Sequence, residues 1–550
     1  MAEETTDIVG KDLLEQLMFS LYPDAETIYR EYLQNACDSI NEAVESGIIE
    51  KKDGHVTISI DKFHHTITIE DNGTGIKADK AEMTLKQIAR SKKKKESSAG
   101  FYGIGRLVGG GYCRLLSFTT SAQGENVASE MIFDMDKIRE ILEDGEDDRS
   151  TSEVVHSVTT FRNDIPEDPL KHYLIVVLKD VLPDYHDVLL NEEKIYAYLQ
   201  QVAPVPYEAT FFNNLIKPNV TKDNKCHSYY GLLNTVKVSI NDFVDIEKPY
   251  EIKFKGTEHE CIDENGRRSK NNAPINEIRF FTIADHQFGD LAWGWYAYTP
   301  AGTQIREIDP YTNKRVLTRN IRLRCHNIQV GDENVLNKYF KQPRSCTYFN
   351  GEIFIVNKDI KPTADRSDIA PTTVAKLFQK KLEEFFRNEL EKLYQEANKA
   401  NKQLENIRKA DEEIRKIKES TELSSESKES ELAKQQDEKQ KAQEKLNKII
   451  DKRNDEKQYP SMQTLAENVK KQFDAYQNTP ATQLVLPPDP PLPNPLKTID
   501  EKIAELGGKY NDDEIAMVKK IFEIIKKRCP KKHAQIVESI KESVLNDLKK

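Results

Sequence analysis

Residues 17–40 read LMFSLYPDAETIYREYLQNACDSI, and the second half of that stretch decides the fold. At about 100° per residue along a helix, Glu31, Asn35 and Asp38 point one way, while Tyr29, Leu33, Ala36, Cys37, Ile40 and Val44 cluster on the opposite side. The pattern predicts an amphipathic helix whose apolar side packs on a sheet and whose polar side faces either solvent or a pocket. In the pocket reading, Asn35 is a neutral oxygen donor suited to complete the octahedral shell of Mg²⁺, an ion that keeps several waters and substrate phosphates as ligands. Glu31, one turn earlier, is placed to orient or deprotonate an attacking water.

Two further segments follow in order. Runs 56–60 and 66–69 alternate apolar and polar residues as in a hairpin with one buried face. They lead into Asp71-Asn72-Gly73-Thr74-Gly75. Asn-Gly is a turn signal in its own right, but Gly73 and Gly75 directly after an acid also let the backbone approach a flat ligand while Asp71 accepts from an exocyclic amine such as that of adenine. The third segment, Gly100-Phe101-Tyr102-Gly103-Ile104-Gly105, precedes apolar residues suited to a helix start, where free backbone N–H groups face an anion. It is not a Walker A loop, lacking Gly-Lys-Ser/Thr, and it has no strand immediately before it as a dinucleotide fingerprint requires. The run 91–98 before it, with four lysines, reads as a solvated loop or as a lid beside a phosphate site.

The order E-x-x-x-N, D-x-G-x-G, G-x-x-G-x-G resembles that of the GHKL ATPases, which include gyrase B, MutL, sensor histidine kinases, MORC proteins and HtpG-type heat-shock chaperones. Residues 17–40 and Ile88-Ala89-Arg90-Ser91 are most similar to the last of these. The resemblance implies a Bergerat α/β sandwich that binds ATP and Mg²⁺, with Glu31 as general base and Asn35 as metal ligand. It further implies nucleotide contacts from Asn35, Asp38, Asp71, Gly73, Gly75, Gly100, Gly103 and Gly105. One family element departs: a Gly-Thr pair usually precedes a late strand, whereas here the expected strand 174–178 follows Lys171-His172-Tyr173, so no residue is assigned to that adenine contact.

Length supports several domains. The 550 residues suggest about three to four domains, expected as an ATP-binding domain at 1–185, a mixed α/β middle domain at 186–372, a coiled-coil helical hairpin at 373–460, a Pro-rich linker at 461–497 and a small helical unit at 498–550. The net charge of −11 argues against polyanion binding by bulk charge, although a local basic groove stays open. No apolar run approaches the roughly 18 residues of a membrane span and no signal-peptide pattern opens the chain, so a soluble, cytoplasmic protein without membrane contact is expected. Seven scattered cysteines, with no C-x-x-C or Cys/His spacing, indicate neither a disulfide framework nor zinc.

In the middle domain, strand-like runs at 235–240, 277–283, 291–298, 320–324 and 351–356 alternate with helical stretches. Trp293 and Trp295 share one strand face. The segment from Gly351 to Asp368 resembles the part of HtpG-type chaperones that delivers an arginine to the γ-phosphate, which implies that role for Arg366; on its own, Arg366 also reads as an ordinary arginine between Asp365 and Asp368. Two charged helical arms flank the Ser-rich run TELSSESKES and read as an antiparallel hairpin or as one irregular helix. The resemblance covers roughly residues 10–390 and has no counterpart in the tail.

The implied function is an ATPase whose nucleotide drives dimerisation into a clamp on a protein client or partner, with a homodimer as the working unit. A MORC-like or MutL-like nucleic-acid clamp in genome maintenance or defence is the alternative, and an ATP-dependent scaffold with little turnover is a third.

Overall fold

The computed structural model describes residues 10–16, 18, 24–87, 105–222, 228–233, 235–241, 244–251, 253–255, 261–262, 268–269, 272–274, 278–298, 305, 307–308, 315–420, 424–454, 460–478 and 520. Gly100, Gly103, the lysine run, the Pro-rich stretch 485–497 and all of 498–550 except residue 520 lie outside this set. The chain divides into two compact units, 1–469 and 470–550. The described part of the second is the end of the helix Pro460–Asn478 together with residue 520.

The first sheet has eight strands: β1 (His55–Asp61), β2 (Thr66–Asp71), β3 (Cys113–Ser121), β4 (Val127–Asp134), β5 (Thr159–Pro166), β6 (Tyr173–Val181), β7 (Lys237–Ile240) and β8 (Val244–Asp245), in the order β5-β4-β3-β6-β2-β1-β7-β8. The expected hairpin forms with Ile58 opposite Ile69 and Ile60 opposite Ile67. These isoleucines, with Leu116, Phe118, Met131, Phe133, Val176 and Leu178, fill one face. Helices cover that face. Ile28, Leu33 and Ile40 of the helix Thr27–Glu45 join the core, as do Ile138 and Ile141, Val154, and Ile195 and Leu199 from the helices Met135–Glu143, Thr151–Val158 and Glu192–Val202. Alternation with period 2 in the strands and 3.6 in the helices directs apolar side chains to one shared layer, an α/β fold as expected.

The run at 235–240, read from sequence as part of the middle domain, belongs to this first sheet. β7 lies parallel to β1, pairing His55 with Lys237 and Ile58 with Ile240, which covers an edge that would otherwise expose unpaired backbone groups. A second difference follows Gly105. Instead of a helix start, residues Val108–Tyr112 make a 3₁₀ turn that runs directly into β3. Three consecutive glycines disfavour an α-helix, and a Cβ at Gly109 would stand 2.4 Å from the Tyr32 hydroxyl.

Two small ribbons, β9 (Lys253–Lys255) with β12 (Asn272–Pro274) and β10 (Cys261–Ile262) with β11 (Arg268–Ser269), precede the second sheet. That sheet comprises β13 (Ile278–Asp285), β14 (Gly289–Tyr298), β15 (Asn320–Cys325), β16 (Ile328–Val330) and β17 (Phe349–Ile355), ordered β13-β14-β17-β15-β16. Trp293 and Trp295 are fully buried in its core. Beyond it, the helices Glu391–Glu419 and Ser425–Ile450 pack along each other, Lys439 bridging to Asp411 at 2.6 Å. Among the described residues no helix is long and apolar enough to cross a membrane.

A fully buried ionic cluster ties the second sheet to the segment leaving the first. Lys248 Nζ donates to Glu352 at 3.0 Å and to Asn327 Oδ1 at 2.9 Å, while Arg324 reaches the same carboxylate and the Gln201 carbonyl. Tyr207 also donates to Glu352, and Trp295 Nε1 donates to Tyr207 at 3.1 Å. Burial, reinforced by Arg324, pushes the Lys248 ammonium down to about 7 against the pull of Glu352. Burial alone would raise Glu352, yet Arg324 and Lys248 outweigh it and hold the carboxyl at about 2.

Candidate nucleotide site

The helix Thr27–Glu45 supplies the first wall. Its polar side is not solvated: Glu31 is 6 % exposed, and Asn35 and Asp38 are half-buried. The Glu31 carboxylate accepts from Arg30 Nε at 3.3 Å and from Arg30 Nη2 at 3.1 Å. Arg30 Nη2 also donates to the Asp365 carbonyl at 3.0 Å, so one guanidinium joins the candidate base to a loop 335 positions later in the chain. Gly105, the last glycine of the loop, runs against the same carboxylate; a Cβ there would lie 2.7 Å from Glu31 Oε2.

Arg366 sits in that distant loop. Its backbone is left-handed, φ +58°, with its N–H on the Thr363 carbonyl at 3.0 Å and its carbonyl accepting from Gly331 at 2.7 Å. Thr363 and Asp365 close the loop through a 2.6 Å hydrogen bond, and the Thr363 N–H reaches the Asp368 carbonyl at 2.8 Å. The side chain is 2 % exposed. Burial lowers its pKa, Cys325, Glu31 and Asp38 act to raise it, and Arg30 acts to lower it; a guanidinium stays charged under these influences. The fold therefore brings Arg366 into the field of Glu31 and Asp38.

The turn after β2 forms the second wall. Asp71 is 3 % exposed, and its Oδ1 accepts from Gly73 N at 2.9 Å. Sequence reading took the two glycines as giving room for a flat ligand; the close neighbours they admit are protein atoms. A Cβ at Gly73 would stand 2.0 Å from Ser39 Oγ, and one at Gly75, φ +63°, 1.8 Å from the Ser121 carbonyl. Gly73, Gly75 and Asp71 thus pack a rigid turn against the helix and β3. Asn72 is taken up elsewhere, accepting from His55 N at 2.8 Å.

Several residues of this arrangement were not singled out from sequence. Ser39, which accepts from Thr74 N at 3.1 Å, completes the i, i+4, i+8 stripe begun by Glu31 and Asn35, so helical spacing carried a signal for it. Arg30 and His326 carried none. His326 forms, with Asn327, the left-handed pair at the tip of the β15–β16 hairpin, φ +53° and +60°, as a two-residue turn of type I′ requires. Burial, with Arg366, pushes its imidazole pKa down while the Asp38 carboxylate pulls it up.

Among the described residues no group of three or more His, Cys, Asp or Glu side chains is arranged to hold a metal. A half-buried Asn35 amide fits an Mg²⁺ that takes its remaining oxygens from water and phosphate. A groove of ≈ 550 Å³ lies on the outer side of the sheet, lined by Glu70, Asn72, Glu167, Lys171, His172 and Tyr173 among others. It holds none of the residues expected at the nucleotide.

Comparison with known proteins bears on residues 24–163, which match the family described as "Histidine kinase-, DNA gyrase B-, and HSP90-like ATPase". The chain is 38 % identical over 99 residues to the chaperone protein HtpG of Paraburkholderia xenovorans, covering 16 % of each protein. It is 38 % identical over 87 residues to HtpG of Chlorobium phaeobacteroides, 15 % of this chain and 14 % of the relative, and 32 % identical over 123 residues to HtpG of Clostridium acetobutylicum, 20 % of each. The matches span a fifth or less of these relatives' length. With the sheet, the helix carrying Glu31 and the Asp71 turn in place, residues 24–163 are a GHKL ATPase domain, HtpG-like in sequence.

Proposed function

We propose that this protein binds Mg-ATP in its N-terminal domain and hydrolyses it, with the second sheet completing the site, and that the cycle works a dimeric clamp on a protein client or partner. The observation that carries the reading is the convergence of Glu31, Arg30 and the Asp365–Arg366 loop within a domain of ATPase family. Asp71 accepts the amine of the base, and the turn that holds it rigid limits the entropy lost on binding. Glu31, oriented by Arg30, takes the proton of the attacking water. Arg366 sets positive charge where the terminal phosphate gains negative charge. Bound Mg²⁺, held through Asn35 and phosphate oxygens, would neutralise part of the phosphate charge.

The division of roles is tested on the full chain by nucleotide calorimetry and ATP turnover. Glu31→Ala is expected to keep ATP affinity while turnover falls by about 10²–10⁴-fold. Asn35→Ala is expected to weaken Mg²⁺-dependent binding instead. Equal loss of affinity in both variants would contradict the assignment. Pull-down with the Glu31→Ala protein in ATP identifies what the clamp holds, and ATP-stimulated, salt-sensitive DNA retention would move the reading to a nucleic-acid clamp.

A further inference from the structure

We propose that His172 is a positioning residue for base recognition: it fixes the Gly73–Thr74 peptide from behind and thereby sets the stance of Asp71. The inference rests on the nucleotide reading given above and extends it to a residue that stands just before the late strand, where the Gly-Thr pair is absent.

His172 Nδ1 lies 2.7 Å from the Gly73 carbonyl. A carbonyl brings no proton, so Nδ1 is the donor, which fixes the tautomer or a protonated ring. The other edge of the same peptide is also held, Thr74 N donating to Ser39 Oγ at 3.1 Å. One peptide plane is thus strung between the Glu31 helix and the start of β6. Tyr173, next to His172, holds the far side of the turn: its carbonyl accepts from Thr120 Oγ1 at 2.8 Å, and Thr120 Oγ1 accepts from Ile76 N at 2.9 Å. Toward Ser39 and Ser121 the turn has no room to move, because Gly73 and Gly75 already touch them. On the opposite edge of the same peptide, the His172 ring holds the Gly73 carbonyl at 2.7 Å and anchors the turn on the β6 side.

Asp71 depends on this arrangement directly. Its Oδ1 is oriented by Gly73 N at 2.9 Å, on the residue whose carbonyl His172 holds. The strand register adds a second reason. Leu174 pairs with Asp71 on one side and with Thr120 on the other, so the β6 position abreast of Asp71 carries an apolar side chain. What β6 contributes to the turn comes from its start, through the His172 ring and the Tyr173 carbonyl.

The test compares His172→Ala and His172→Asn in the full chain. Asn keeps a side-chain N–H at a similar reach, so it separates loss of the donor from loss of the fold. For His172→Ala, ADP affinity is expected to fall by roughly 2- to 12-fold, the range of one net hydrogen bond. The preference for ATP over GTP should shrink with it, the loss falling on KM rather than kcat, and His172→Asn should recover most of both. Unchanged ADP affinity and base preference in His172→Ala, or equal impairment in the two variants, would overturn the proposal. If the wild-type chain bound no adenine nucleotide, the nucleotide reading itself would fall. Hydrogen exchange of 73–77 without nucleotide then addresses the His172 hold on the turn alone: faster exchange in His172→Ala upholds that hold, and equal exchange refutes it.

Discussion

Replacing Arg366 tests whether the second sheet belongs to the site. Two unit charges about 5–6 Å apart at an effective dielectric near 20 interact by roughly 3 kcal/mol. If Arg366 exerts that on the terminal phosphate as charge develops, its loss is worth about 100-fold in rate. Mg²⁺ shares the same charge, so about 10- to 100-fold is the expected fall in single-turnover ATP hydrolysis for Arg366→Ala, with ADP affinity by calorimetry within about threefold of wild type. The backbone supplies a control. A non-glycine residue at φ +58° stores about 1–2 kcal/mol, which Arg366→Ala retains and Arg366→Gly relieves. If the charge is what matters, the two variants lose rate equally, although the glycine form relaxes the 363–368 loop. Arg366→Lys keeps the charge without the fork and should fall between them and wild type. Wild-type turnover in both Ala and Gly variants would show that Arg366 is an arginine of loop packing, and the docking of its loop on Arg30 would then have no catalytic meaning.

Asp71→Asn should lose a charge-assisted hydrogen bond to the base worth about 1.5–3 kcal/mol, or roughly 10- to 150-fold in ATP affinity; calorimetry on the folded variant with unchanged affinity would remove Asp71 from that contact. Gly75→Ala must accommodate a methyl 1.8 Å from the Ser121 carbonyl at φ +63°, so the turn has to shift; we expect a lowered melting temperature together with weakened ADP binding, and a variant equal to wild type in both would mean the turn is pliable. Glu352→Gln leaves Lys248 and Arg324 buried without their shared carboxylate, a loss of about 3–5 kcal/mol by analogy with broken buried pairs, read in urea unfolding. Because Glu352 titrates lower in the folded chain than in the unfolded one, its contribution is present above the unfolded value of about 4.3 and fades as pH falls toward about 2. The gap between wild type and Glu352→Gln should therefore narrow across that window; a gap constant with pH would refute the assigned ionisation.

What the chain declares locally, it declares well. The β1–β2 hairpin, the β6 strand and the Glu31 helix follow from side-chain periodicities that depend only on near neighbours, and the Asp71 turn from the conformational habits of Asn and Gly. The order of those segments was enough to point to an ATP pocket. Contacts between distant segments carry no such periodic mark. Nothing near His55 announces that Lys237 will lie beside it in a parallel pair, and the lone Lys248, Arg324 and Glu352 look like surface charges until three separate elements bury them together. Arg30 meeting the Asp365 carbonyl and His172 meeting the Gly73 carbonyl are of the same kind. In these last two the distant partner is a backbone oxygen, which every residue possesses, so the residue types alone do not select the pair. Only the packing of the elements brings one particular carbonyl within reach of one particular donor, and there burial makes an unpaired polar group costly enough to hold the pair.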